Sequence, residues 1–188
     1  MKEYTNLLKG RVENLDQFVR SVTAYAGNAR REVVAEPVEV RAIFREVLEN
    51  MRYYPNADAI NITLDIPHEV VVTSDPMRLQ IIFGNLITNA IKYHDYRKAN
   101  PFIHIGYEQS ESSLSVRIQD NGSGIHEESL PRIFEMFYRG NGNSQGSGLG
   151  LYIVKEALDK IGGRIEVSSA HGVGTTFVIQ LPYRQEPA

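Results

Sequence analysis

The sequence predicts an α/β protein, a two-layer α/β sandwich whose mixed sheet is covered on one face by helices, preceded by a long amphipathic helix. Three observations carry this prediction. Apolar residues at the N-terminus keep a heptad spacing, residues 60–66 alternate strictly between apolar and polar, and segments of helical period then alternate with short strands along the rest of the chain.

The elements follow in order. Leu8, Val12, Leu15, Val19, Val22 and Ala26 recur at spacings of four and three, and Phe18 and Tyr25 widen the stripe to that of a bundle helix. Gly27 and Asn28 supply a stop. Such a helix either packs on its own domain or forms half of a helical hairpin that dimerises. Its length ahead of the first strand points to the hairpin. Residues 30–37 are polar and charged and read as a hinge. Residues 38–51 show helical periodicity through Val40, Ile43, Phe44, Val47 and Leu48. Residues 53–58 read as a loop, 60–66 as a half-buried strand ended by Pro67, and 70–73 as a short strand. Ser74, Asp75 and Pro76 form a cap with proline in the first turn, opening a helix to about residue 93. Residues 102–107 and 114–118 are neighbouring strands, and 147–161 a second long helix ending at Gly162 and Gly163. Residues 164–168 and 175–181 close the sheet as a hairpin. The division expected is therefore 1–29 as a partial dimerisation hairpin helix, 30–37 as linker, 38–183 as the globular domain and 184–188 as a frayed tail.

Composition narrows the function. A chain of 188 residues is one domain, or one domain with an appendage, large enough for a real core. The net charge of -3 offers no basic footprint for nucleic acid. The absence of cysteine excludes disulfides, thiolate metal sites and cysteine nucleophiles. No apolar run is long enough to span a bilayer and residues 1–10 lack the pattern of a signal peptide, so a soluble, cytoplasmic piece without membrane contact is expected, from a parent protein that is either free or membrane-anchored.

Three segments carry the chemistry. In residues 85–93, Asn85, Asn89 and Lys92 stand at intervals of four and three and project from one helix face. Amide oxygens suit a hard cation and the lysine suits phosphate. For this helix alone, a solvated polar face is the simpler reading. The run Asp120, Asn121, Gly122, Ser123, Gly124 follows a strand end. It is either a hairpin turn or a carboxylate presented to a donor such as the adenine amine, with glycines letting backbone lie against the base. No returning strand follows, only a polar stretch of about twenty residues, which favours the second reading. That stretch holds Leu130, Ile133, Phe134, Phe137 and Arg139 and reads as a lid whose arginine reaches a terminal phosphate on closure. Gly146, Ser147, Gly148, Leu149, Gly150 and Leu151 open the second long helix, where free N–H groups and the helix dipole favour anions. No lysine follows in the place a Walker loop requires.

Together these residues resemble the GHKL superfamily, and within it the catalytic, ATP-binding domain of bacterial sensor histidine kinases, a Bergerat-type fold, over residues 38–182. Residues 85–93 resemble its N box, 120–124 and 146–151 its two glycine boxes, 134–137 its phenylalanine box and 174–177 its closing threonine strand. The resemblance implies ATP and Mg2+ as cofactors, with Asn89 the main metal ligand and Asn85 supporting it. It implies Lys92 on phosphate, Tyr93 beside the adenine, and Asp120 on the adenine amine with a water held by Thr175 or Thr176. Gly122, Gly124, Ile125 and Phe137 complete the nucleotide site, and Gly146, Ser147, Gly148, Leu149, Gly150 and Leu151 cradle the phosphates. Asn85, Asn89, Lys92 and Arg139 form the implied catalytic set.

One departure limits the resemblance. Sensor kinases phosphorylate a histidine on the first helix of the dimerisation hairpin, yet the first histidine here is His68, and residues 1–29 resemble the second helix. The five histidines read as surface or structural side chains. The expected function is thus MgATP-dependent phosphoryl transfer to a histidine outside this chain. The partners implied are the parent's hairpin, a homodimer in the full-length protein, and a response regulator. Two other classes share such a pocket: a non-catalytic switch of the anti-sigma-factor type and a gyrase-like or chaperone-like ATPase. The ATPases place a glutamate where Asn85 stands, and an amide cannot take a proton from an attacking water.

Overall fold

The computed structural model describes residues 31–183, except 53, 55, 56, 111 and 141–146, together with Val19, Val22, Thr23, Ala26 and Gly27. Those five isolated residues are helical, and the rest of the expected hairpin helix, like the tail 184–188, lies outside the described residues.

Two antiparallel strands, β1 (Glu36–Glu39) and β3 (Val71–Ser74), flank α1 (Val40–Met51), a 3-10 turn (Ala57–Ala59) and β2 (Asn61–Asp65) in sequence. The helical period at residues 38–51 thus begins two residues late. Val38 is paired with Val72 in the small sheet and buried there, and the helix starts only where the Val40 N–H turns to the Val70 carbonyl, 3.0 Å away. The stretch read as a hinge is likewise bound to the domain. Arg78 donates to the carbonyls of Arg31 (2.6 Å) and Glu32 (3.3 Å), and the Val34 N–H donates to Asp75 (3.1 Å). Sequence periodicity misses this because the partner residues stand more than forty positions away.

The long helix α2 (Pro76–Lys92) begins as its sequence dictates. Asp75 accepts from the Arg78 N–H at 3.0 Å and Pro76 occupies the first turn. Leu79, Ile82, Phe83, Leu86, Ile87, Ala90 and Ile91 are buried on the core side, and Phe83 stacks on Phe44 of α1 at 4.2 Å. The remaining elements are β4 (Phe102–Gln109), β5 (Ser113–Asp120), a 3-10 turn (Glu127–Arg132), α3 (Gly150–Lys160), β6 (Arg164–Ala170) and β7 (Gly174–Pro182).

The main sheet runs β2-β4-β5-β7-β6, parallel between β2 and β4 and antiparallel elsewhere. It is the mixed sheet the sequence predicts. Strand alternation places Ile103, Ile105, Val116, Ile118, Phe177 and Ile179 on the face under α2 and α3, all buried. Burying side chains of this size contributes about 1.5–3 kcal/mol each. The alternate residues His104, Arg117, Glu166 and Val178 point to the uncovered face, which is mostly polar, with Phe102 and Val178 the larger apolar side chains on it. Helix α3 opens at Gly150 rather than at residue 147, because Gly148 has a φ of 71° and cannot belong to a right-handed helix.

Candidate functional site

Strand β5 ends and β7 begins beside the start of α3 and the last turns of α2, and a cavity of about 290 Å³ opens between them. From α2, Asn85, Asn89 and Lys92 line it, as their helical spacing predicts, and Tyr93 joins them from the residue after the helix. The Asn85 amide N–H donates to the Ile81 carbonyl at 2.7 Å, which fixes which end of the amide is left as acceptor. That oxygen faces the first residue of α3: a β-carbon added to Gly150 would sit 3.0 Å from it.

Asp120 reaches the cavity from the end of β5. Its carboxylate accepts the Gly122 N–H at 2.7 Å and a backbone N–H from Thr175, its partner across the strand pair. Burial nevertheless pushes its carboxyl above the ordinary range, against the pull of those N–H groups and of Lys98. The turn after Asp120 is packed backbone to backbone. A β-carbon on Gly122 would lie 2.5 Å from the Tyr93 carbonyl oxygen, and one on Gly124, whose φ is 66°, 2.0 Å from that of Ala170. Glycine is required at both, in the second case by conformation as well as space.

One end of the cavity is cationic. Lys92 is half-buried, and burial together with the neighbouring Arg139 lowers its ammonium to a pKa of about 8. Arg139, Ser147, Gly148, Gly150 and Leu151 complete this wall, with the N-terminus of the eleven-residue α3 directed at it. The lid and the glycine turn are tied where the Phe137 N–H donates to the Gly148 carbonyl at 3.0 Å. Phe137 takes a φ of 63°, unusual outside glycine, and stays 56% exposed.

Of the residues expected at the site, Gly124, Ile125 and Thr175 also line the cavity. Four do not. Gly122 is pressed against Tyr93, Leu149 is buried in the core, Phe137 faces outward, and Thr176 sits on the opposite face of β7 from Thr175. Gly146 lies outside the described residues. The cavity also gathers residues that sequence reasoning passed over. Thr88 continues the spacing of Asn85, Asn89 and Lys92 and was legible in that pattern. His126 and His171, read as surface or structural, line the cavity with their rings stacked at 3.7 Å. No local pattern links two positions so far apart in sequence.

A magnesium ion fits this donor set. Among the described residues no cluster of three histidines, cysteines or carboxylates could hold a metal by itself. The Asn85 and Asn89 amides would offer hard oxygen ligands, too few to saturate a divalent ion, and the remaining positions would fall to phosphate and water, the mode magnesium favours. Among the described residues no helix is long and apolar enough to cross a membrane.

Comparison with known proteins finds sensor histidine kinases among the relatives of this chain. The chain is 30% identical over 93% of its length to the sensor histidine kinase AtsR of Burkholderia thailandensis, covering 30% of that protein. It is 33% identical over 97% of its length to the signal transduction histidine-protein kinase AfsQ2 of Streptomyces coelicolor, covering 32% of it. It thus spans about a third of the length of these curated relatives. Among solved structures, the mycobacterial sensor histidine kinase MprB superposes with a TM-score of 0.67 at 29% identity, over 81% of this chain and all of that one. A family model covers residues 74–185, from the cap of α2 past the end of β7, and by that match the chain belongs to the histidine kinase-, DNA gyrase B- and HSP90-like ATPase family.

Proposed function

We propose that this domain binds MgATP and presents its terminal phosphoryl group to a histidine on a dimerisation hairpin, as the catalytic part of a sensor histidine kinase. The observation that supports this best is the convergence in one cavity of the amide-and-lysine face of α2, the buried carboxylate of Asp120 and the N-terminus of α3. In this reading Asp120 accepts from the adenine amine, and Tyr93, Gly124, Ile125 and Thr175 enclose the base. Asn89, supported by Asn85, holds magnesium, whose charge neutralises the phosphate oxygens. Lys92, Arg139 and the N–H groups from Gly148 to the first turn of α3 hold the phosphates.

Residue chemistry then separates transfer from hydrolysis. Position 85 carries an amide whose N–H is already committed to Ile81, and an amide is no base for an attacking water. The work left to the domain is positioning and charge stabilisation, with the nucleophile supplied by the hairpin. A response regulator as final acceptor, and a homodimeric parent, belong to the same reading.

The test combines the chain with MgATP and a hairpin fragment bearing an acceptor histidine, and follows labelled phosphate. Acid-labile label on the hairpin supports the proposal. Rapid release of inorganic phosphate from the chain alone would overturn it in favour of an ATPase. Asn89→Ala should weaken magnesium-dependent nucleotide binding by about tenfold, the scale of one lost charge-assisted contact. Equal binding by variant and parent would remove Asn89 from the metal site.

A further inference from the structure

Lys98 lies in the loop between α2 and β4 and does not line the cavity. Its ammonium donates to three carbonyl oxygens: Asn121 at 2.5 Å, Gly122 at 3.0 Å and Val173 at 2.8 Å. A lysine has three N–H groups, and here each finds an acceptor. The acceptors belong to two turns far apart in sequence, the one after Asp120 and the one joining β6 to β7. These turns are in backbone contact: the Gly172 N–H donates to the Ser123 carbonyl at 2.7 Å, and a β-carbon on Gly174 would lie 2.1 Å from the Asp120 carbonyl oxygen.

We propose that Lys98 is a positioning residue for base selection: it locks these two turns together and thereby fixes the acceptor that Asp120 presents to the nucleobase. The argument starts from the carbonyls. Three oxygens converging on one point carry partial charges of one sign and need a cation between them. Without it, the Asn121 and Val173 carbonyls lose a shared partner, and the turns are held only by the Gly172–Ser123 hydrogen bond and the pairing of Asp120 with Thr175. The Gly122 N–H that holds the Asp120 carboxylate at 2.7 Å belongs to the same turn, so any shift of that turn moves the acceptor. The Lys98 charge also favours the ionised, acceptor-only form of Asp120 against burial.

This inference rests on the reading that Asp120 contacts the base amine, and the experiment separates the two. Dissociation constants of MgATP and of MgITP, whose 6-oxo group replaces the amine, are measured for the chain and for Lys98→Met. The ATP preference should shrink by about fivefold, the scale of one compromised hydrogen bond, with ITP affinity nearly unchanged. Equal weakening of both nucleotides marks a merely structural role and overturns the proposal, as does an unchanged preference. Should Lys98→Met fail to fold, Lys98→Gln serves: it keeps two donors without the charge, and the same loss of preference is expected. Asp120→Asn is the control for the underlying reading. If it leaves the ATP preference intact, Asp120 does not read the base, and that reading fails whatever Lys98 does. If it abolishes the preference while both Lys98 variants retain it, only the role given to Lys98 fails.

Discussion

Replacing Arg78 by methionine tests what holds the beginning of the domain in place. Arg78 is completely buried and Asp75 is 3% exposed. The guanidinium pairs with the Asp75 carboxylate and donates to the carbonyls of Arg31 and Glu32. Methionine fills much of the same space but leaves the carboxylate without its counter-charge. Removing one partner of a buried pair typically costs about 3–5 kcal/mol. Asp75 keeps two backbone donors here, the N–H groups of Arg78 at 3.0 Å and Val34 at 3.1 Å. The lower end therefore applies, about 3 kcal/mol. For a domain of this size that is a fall in Tm of about 6–12 °C.

Urea and thermal melts at neutral pH measure the loss, and pH checks its cause. Burial acts to raise the Asp75 carboxyl, but the Arg78 and Val34 N–H groups and the guanidinium outweigh it, leaving a net lowering. A group lowered in the folded state contributes stability that is present above its unfolded value and lost as pH falls through the folded one. Part of that contribution comes from Arg78, so the gap between parent and Arg78→Met should narrow as pH drops below the ordinary carboxylate range. The double variant Asp75→Asn, Arg78→Met buries no charge and should recover part of the loss. A single variant within about 0.5 kcal/mol of the parent, the level of an ordinary surface change, refutes the reasoning. A gap that stays constant down to acid pH refutes its electrostatic part.

Asp120 should behave oppositely, because burial raises its carboxyl. Its contribution to stability is fully present below the unfolded value and lost as pH rises through the folded one, so Asp120→Asn should gain more Tm at neutral than at acid pH without nucleotide while binding ATP less well. Lys92, with its pKa of about 8, should give nucleotide affinity that declines as pH rises past that value. Lys92→Arg should hold affinity to higher pH in the same titration, because a guanidinium stays charged. Gly124→Ala should cost more than the about 1–2 kcal/mol of a left-handed residue, because its β-carbon meets the Ala170 carbonyl. Gly172→Ala is the control, at a φ of 78° with open space around it. Urea denaturation of the two variants should separate conformation from collision.

The helices and the central strands were legible because their signals are local. The alternation through Ile62 and Leu64, the cap at Asp75 and the four-three spacing of Asn85, Asn89 and Lys92 each act within a few residues. What escaped depends on distant partners. Strand β1 was divided between the hinge and the next helix because only its pairing with β3 reveals it, and the anchoring of residues 31–34 depends on Arg78 and Asp75. At the site, the choice between Thr175 and Thr176 could not be made from composition. The register of Asp120 against Thr175 makes it, by turning one hydroxyl inward and the other away. Lys98 carried no motif at all, since its three acceptors are backbone atoms that any residue provides.

The parallel pairing of β2 with β4 has a consequence for the order of assembly. Parallel neighbours cannot be joined by a tight turn, so Asn61 meets Phe102 only after the intervening chain, including all of α2, has crossed over. The hairpins β4–β5 and β6–β7 need only local closure, whereas Asp120 meets Thr175 across a much longer stretch. Every wall of the nucleotide cavity thus depends on a long-range closure. A partly folded chain can possess strands and hairpins yet have nowhere to put a nucleotide. Ligand therefore draws the equilibrium toward the complete fold alone, by about 2.7 kcal/mol at a hundredfold excess over Kd.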